Sequence, residues 1–261
     1  MTDLTPSQAR ALRLKRADRV GDIANAQADI DAIDRELAGQ TAPTDPAVTP
    51  PKASVLPPIA GPLTPNAWSN PWTPSDWDEP KMNGYRWSPN NVFLDGTDLK
   101  VRLTEKNSAQ IQQTGSARSA KGRWEVDVTL AAPTPGMIQA PLWTYNNETR
   151  DELDFEWVGD KGLQLNVYAK GVSVWSKTIA NVKDGRHHIA VEYEAGKSVI
   201  FIMDGVELDR VTPAQTKGGA FPDSPMKAYI EVWPSLSEGW AGKWQGAGSG
   251  LTMTVHGFKQ S

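Results

Sequence analysis

From residue 67 onward, apolar residues occur in short runs or alternate with polar ones, the period-two pattern of half-buried strands. Such runs lie at Leu99 to Leu103, Arg123 to Leu130, Leu163 to Tyr168, His188 to Tyr193, Val199 to Met203, Ala228 to Trp233 and Leu251 to Val255. Turn signals separate them at Asp95-Gly96, Pro135-Gly136, Lys170-Gly171, Ala195-Gly196 and Asp204-Gly205, the last most simply a hairpin turn. Many short strands without a helical period predict an all-β domain over 67–261, built as two packed antiparallel sheets. A region of this length can bury one core.

The first 39 residues follow another period. Thr5-Pro6-Ser7-Gln8 combines a capping residue, Pro at the first helical position and Gln three after the cap, and Gly39 supplies a stop. Between them Ile23, Ala26, Ile30, Ile33 and Leu37 fall at alternating three- and four-residue steps. That predicts an N-terminal helix over 1–39 with a seam of barely two heptads. One helix cannot bury its own stripe, so it pairs with copies of itself, with another protein or with the β domain, and the first two are preferred. Residues 40–66 hold eight of the twenty prolines and predict an extended, semi-rigid linker.

One strand stands apart. In Asp151-Glu152-Leu153-Asp154-Phe155-Glu156-Trp157 the alternation places Glu152, Asp154 and Glu156 on one face and Leu153, Phe155 and Trp157 on the other. Like charges two residues apart repel and are costly to desolvate, so stability alone rarely selects such a row. Retaining glycoside cleavage needs it, because one carboxylate attacks the anomeric carbon while a second carboxyl about 5–5.5 Å away protonates the departing oxygen. Four strand steps separate the two glutamate backbones by roughly 13 Å, a gap that side chains leaning together close. The bland alternative is a solvated strand face.

The same residues resemble the catalytic strand of glycoside hydrolase family 16, and the likeness continues in order on both sides. Leu142-Trp143-Thr144-Tyr145 precedes the strand, and Leu163 to Tyr168, His187 with Tyr193, Met203-Asp204-Gly205, Pro225-Met226-Lys227 with Val232-Trp233, and Trp240-Ala241-Gly242 follow. The resemblance implies a jelly-roll β-sandwich with the acidic strand on its concave face. It further implies Glu152 as nucleophile, Glu156 as acid/base and Asp154 as the assisting carboxylate. Sugar contacts are implied for Trp143, Tyr145, Asn166, Tyr168, Glu231, Trp233 and Glu125. Three residues between the glutamates, as in lichenases and xyloglucan transglycosylases, favour the branch without a strand bulge. Glu231, Arg150 and Asp127 depart from the lichenase pattern at positions assigned to sugar contact, so no lichenan specificity is implied.

Composition sharpens this picture. Eleven Trp against five Phe suits sugar stacking. Trp124, Trp157 and Val158 are expected in the core, Trp143 and Trp233 on cleft walls, and Trp68, Trp72, Trp77 and Trp87 in either place. A net charge of −4 and a pI near 5.5 argue against nucleic acid as a partner. No apolar stretch reaches spanning length or forms a secretion signal. Zero Cys excludes disulfides and thiolate chemistry. His187 and His188 point to opposite faces and His256 is remote, so no metal site and no cofactor are expected, although the family resemblance leaves a structural calcium open. The expected function is a retaining endo-glycosidase acting on a polysaccharide. It is extracellular or virion-associated, as in a phage fibre or spike, and multimeric through the helix. The alternative is a non-catalytic glycan-binding or adhesion module.

Overall fold

In a computed structural model, residues 55–79, 84–180, 182 and 184–261 are described. The expected helix over 1–39 and the first part of the linker lie outside the described residues.

Two sheets stack face to face. The first places side by side β11 (Val172–Ile179), β10 (Leu163–Ala169), β9 (Glu152–Val158), β8 (Met137–Tyr145), β15 (Lys227–Pro234), β6 (Asn107–Gln113), β3 (Arg86–Trp87) and β2 (Trp77–Asp78), with β1 (Trp72–Pro74) also on β6. The second runs β14 (Val206–Val211), β13 (Ser198–Met203), β12 (Arg186–Glu194), β7 (Lys121–Thr129), β16 (Leu251–Gln260), β5 (Asp98–Leu103) and β4 (Val92–Asp95). All pairings are antiparallel except the short β3 to β6 contact. This is the expected sandwich, and every predicted apolar run is a strand. Asp204 and Gly205, at φ 52° and 80°, form the two-residue turn between β13 and β14.

Alternation sorts each strand as physics requires. Leu153, Phe155 and Trp157 of β9 point inward, as do Trp124, Val126 and Val128 of β7, and all are buried. Phe155 meets Phe201 of the opposite sheet at 6.2 Å between ring centres. Each such side chain contributes about 1.5–3 kcal/mol by leaving water. Asp151, at the start of the acidic segment, is fully buried with a structural role. Its carboxylate accepts from the backbone N–H of Lys170, Asp223 and Ser224 and from the Ser224 hydroxyl, tying the strand to two loops.

Strands without a strong apolar pattern escape a sequence reading. β6 reads Asn-Ser-Ala-Gln-Ile-Gln-Gln, with only Ala109 and Ile111 entering the core. β8 contains Pro141, which argues against a central strand. It fits because Ala140 and Pro141 bulge, two residues opposing one on β9 between the Gln139 and Leu142 pairings. Residues 55–66, read from composition as linker, lie on the sandwich: Leu56 and Ile59 are buried, and the Phe258 N–H donates to the Pro57 carbonyl.

Candidate active site

On the outer face of the first sheet, β9 presents Glu152, Asp154, Glu156 and Val158. Its register with β10 is unbroken from Leu163 to Tyr168, so the acidic strand carries no bulge. Glu152 lies opposite Tyr168 and Tyr145, Asp154 opposite Asn166 and Trp143, and Glu156 opposite Gln164. The Asn166 side-chain amide donates to the Glu156 carboxylate at 3.2 Å.

Burial sets the proton affinities. Loss of water, then the charges of Glu152 and Glu156, push Asp154 well above the usual aspartate range, and a hydrogen bond shared with Glu152 adds to this. The shift favours the protonated form of Asp154, the form that donates to its neighbour. Glu156 is pushed up to about 8, first by burial and then by Glu231 and Glu152, with the Asn166 bond acting against the rise. Glu156 thus keeps its proton near neutral pH, as a general acid must.

A fourth carboxyl joins them. Glu231 on β15 pairs with Ala140 of the β8 bulge, whose other side faces Glu156. The small Ala140 leaves nothing bulky between the two glutamates, which explains why the charge of Glu231 raises Glu156. Burial pushes Glu231 up to about 8, and the Gln110 amide and the nearby Trp143 and Trp233 indoles pull it back. Those indole N–H groups are aimed at the carboxylate without closing a hydrogen bond of standard geometry.

Glu231 also ends a buried chain of donors. Lys227 Nζ donates to Gln112 at 2.7 Å, Gln112 Nε2 to Ser75 at 2.9 Å, Ser75 Oγ to Gln110 at 2.6 Å, and Gln110 Nε2 to Glu231. Every link points from the ammonium toward the carboxyl, an arrangement whose bonds polarise one another.

Folded pKa values raised for Glu156 and Glu231 mean that their contribution to stability is full below the usual 4.5 and is lost as pH rises through about 8. Glu231→Gln keeps an acceptor for Gln110 and removes the charge. Its melting temperature is expected to fall by several degrees less than that of wild type between pH 6 and pH 9. Parallel melting curves across that range would refute the coupling.

Beside the row opens a cavity of about 790 Å³. Trp68, Trp77, Trp87, Trp143, Tyr145, Tyr229 and Trp233 wall it, and Gln110, Gln112, Lys227 and Glu231 form its floor. Trp143 stacks on Tyr229 at 4.3 Å between ring centres. Flat aromatic faces with polar edges suit the apolar faces and hydroxyls of sugar rings. At one end Ile138, Val158 and Ala241 pack under Trp233 and Trp240, and the Trp240 indole donates to Gln164 at 2.7 Å.

Trp143, Tyr145, Asn166, Tyr168, Glu231 and Trp233 thus lie on the same sheet face as Glu152, Asp154 and Glu156. Glu125 does not. It sits on the outer face of the second sheet, held by Arg123 at 3.2 Å and facing His188 at 3.4 Å, because its neighbours Trp124 and Val126 take the inward positions. Asp127 shares that face and is clamped by Nε and one terminal nitrogen of the Arg186 guanidinium, on the sheet opposite the acidic row. Val158 is buried on the acidic face, in the small cluster closing the cleft. Arg150 lies in the turn before β9, in the left-handed region at φ 62° and outside the cavity lining. Trp72 goes to the core against Phe258, whereas Trp68, Trp77 and Trp87 line the cleft. Gln110, Gln112 and Tyr229 carry no sequence signal except alternation on β6 and β15, whereas Lys227 ends the Pro225-Met226-Lys227 run of the family resemblance.

Comparison with known proteins agrees with this geometry. Residues 80–255 match the family described as Glycosyl hydrolases family 16. A putative xyloglucan endotransglucosylase/hydrolase protein 1 of Arabidopsis thaliana is 25% identical over 168 residues, covering 59% of this chain and 54% of that protein. Crh-like protein 4 of Aspergillus fumigatus is 29% identical over 129 residues, covering 44% and 28%. The chain therefore spans about half or less of these curated relatives. Among solved structures, a prokaryotic β-1,3-1,4-glucanase (lichenase) from a mouse hindgut metagenome superposes with a TM-score of 0.63 at 20% identity, covering 72% of this chain and 91% of that one. The catalytic domain of an endo-1,3-β-glucanase (laminarinase) from Thermotoga petrophila gives 0.59 at 15%, covering 78% and 92%. These two likenesses show the shared sandwich.

Proposed function

The chain belongs to glycosyl hydrolases family 16, and from that premise we propose that it is a retaining, endo-acting glycosidase of a polysaccharide. The observation that carries this reading is the placement of Glu152 and Glu156 on one face of an unbulged strand, either side of the buried Asp154. Glu152 attacks the anomeric carbon while Glu156 gives its proton to the glycosidic oxygen, which leaves with one half of the glycan. Glu156, now a carboxylate, takes a proton from water or from a sugar hydroxyl, which attacks the anomeric carbon and releases Glu152. Water gives hydrolysis and a sugar gives transfer, the two outcomes named for the plant relatives. Asp154 keeps its proton on the Glu152 side, damping the repulsion within the row.

A second reading, a non-catalytic glycan-binding module, is favoured by the altered contact at Glu231. New reducing ends released from a panel of β-glucans, galactans and bacterial exopolysaccharides decide between them. Binding at micromolar affinity without any cleavage would establish the binding module.

The proposal extends to a multimeric, virion-associated or otherwise anchored protein acting on a bacterial surface glycan. The heptad seam from Ile23 to Leu37 and the Pro-rich run after it support this. Tethered copies would raise the effective concentration at such a surface. Sedimentation of the full chain is expected to give an oligomer that Ile30→Asp converts to monomer; equal masses would end the idea.

A further inference from the structure

Trp68 is held out of the core. It is 53% exposed, although Trp72 of the same turn is buried against Phe258 with ring centres 4.8 Å apart. A lone surface aromatic needs no explanation, but Trp68 lines the cavity beside the acidic row and its backbone is fixed. The Ala67 N–H donates to Thr73 Oγ1 at 3.0 Å, and that buried hydroxyl donates to the Thr64 carbonyl at 3.0 Å. The Asn70 N–H donates to the Ala67 carbonyl at 3.0 Å, and the Asn70 side-chain amide to the Pro62 carbonyl at 3.0 Å. Asn66, in the left-handed region at φ 53°, turns the chain into this arrangement. A turn tied at both ends thus carries a large apolar ring into water, where a polar side chain would be the cheaper choice. The Lys227 ammonium stands over the ring at 5.3 Å, and much of the rest is open.

The turn is anchored from the other sheet. Residues 55–64 form a strap whose first part lies on the end of β16, with Leu56 and Ile59 buried and the Phe258 N–H donating to the Pro57 carbonyl at 2.9 Å. That approach needs Gly257. A Cβ there would stand 2.7 Å from the Leu56 carbonyl oxygen and 3.0 Å from its carbon, and backbone atoms cannot turn aside as the end of a side chain can. Phe258, beside Gly257, is the residue that packs on Trp72, so one place on β16 grips both the strap and the turn. Residues 80–255 are those matched to the family, so the strap, the turn and Gly257 all lie outside them.

We propose that Trp68 is a stacking platform for a pyranose ring of the bound glycan, and that the strap of residues 55–64 positions it. The platform deepens the glycosidase reading and rests on it for the bond cut, but not for binding. Lys227, which the Trp68 ring covers, pairs across the sheet with Tyr145, and Tyr145 with Glu152. Two interstrand spacings, about 10 Å, therefore separate the platform from the acidic strand. It meets a sugar beyond the one whose bond is cut, so it selects for the length of glycan held and not for the linkage cleaved. A flat indole takes the apolar face of that ring and leaves its hydroxyls to water and to the polar floor.

The test uses the full chain carrying Glu152→Gln, so that binding is read without turnover. Calorimetric titration compares hexasaccharides with disaccharides of β-1,3-glucan, β-1,4-glucan, β-1,3-1,4-glucan and agarose. At least one hexasaccharide is expected to bind about tenfold tighter than its disaccharide, and Trp68→Ala to remove about that factor from the hexasaccharide. Trp68→Phe should recover part of it. Gly257→Ala, checked for folding by thermal melts, should weaken the hexasaccharide in the same direction. Combined with Trp68→Ala it should cost no more than Trp68→Ala alone, because the strap acts through that ring. A length preference unmoved in Trp68→Ala, an equal loss on the disaccharide, or no binding to any of the four glycans would overturn the platform. Unchanged affinity in folded Gly257→Ala, or losses that add in the double variant, would overturn the part given to the strap. If Gly257→Ala does not fold, the milder Leu56→Ala takes its place with the same two outcomes. Wild type that cuts none of the four glycans while the length preference stands would count against the glycosidase reading alone.

Discussion

Glu152→Gln is expected to lower kcat/KM for glycan cleavage on the order of 10⁴-fold while raising the melting temperature. The loss follows from replacing the attacking carboxylate with an amide that cannot form the covalent intermediate. The gain follows from geometry. Glu152 contributes to the upward shift of Asp154, Glu156 and Glu231 alike, so its charge is felt by every other carboxyl of the site. Neutralising it relieves all three at once, and stability held back for function is released. Reducing-end assays and thermal melts on the same preparations check both halves. Residual cleavage within tenfold of wild type would remove Glu152 from the nucleophile's place, and a lower melting temperature would show that the row is not repulsive.

Glu156→Gln is expected to cost about 10³-fold on natural glycan and to change the shape of the pH profile. Cleavage requires Glu156 protonated, and its pKa of about 8 means that wild-type kcat/KM falls as pH rises through that value. The variant has no proton to lose and its profile stays flat there. An aryl glycoside whose phenol departs without protonation should lose far less than the glycan does. Glu231 is the second cause of the raised value, after burial, so Glu231→Gln should move the alkaline fall to lower pH. Equal losses on both substrates, or an alkaline fall that survives in Glu156→Gln, would assign the acid to another group.

The sandwich and the row of carboxylates are legible in the sequence because both follow from a two-residue period. A strand that buries Leu153, Phe155 and Trp157 must expose Glu152, Asp154 and Glu156 on its other side. The rest of the site is not local. Nothing in Asn-Ser-Ala-Gln-Ile-Gln-Gln announces a strand beside the cleft, since Gln110 and Gln112 matter only once β15 sets Lys227 and Glu231 next to them. Glu125 fails for a related reason. An acidic residue on an alternating strand is legible as outward-facing, but which of two sheets it faces outward from depends on long-range pairing. Pro141 hides a central strand because the bulge that tolerates it needs two partner strands to define it.

The order of the second sheet has a further consequence, for how the molecule comes into being. β16 lies between β7 and β5, yet it is synthesised after both. Until residues 251–260 emerge, β7 and β5 each present an unpaired strand edge, and the growing chain is open to association with its neighbours. The acidic strand can already be paired with β8 and β10 at that stage, but the layer behind it is split in two. Closure awaits contacts far apart in sequence, which makes folding slow and dependent on the nascent chain being kept apart from others. Loss of these ten residues would remove the middle of a sheet, so a short C-terminal truncation is a defect of biogenesis before it is a defect of catalysis.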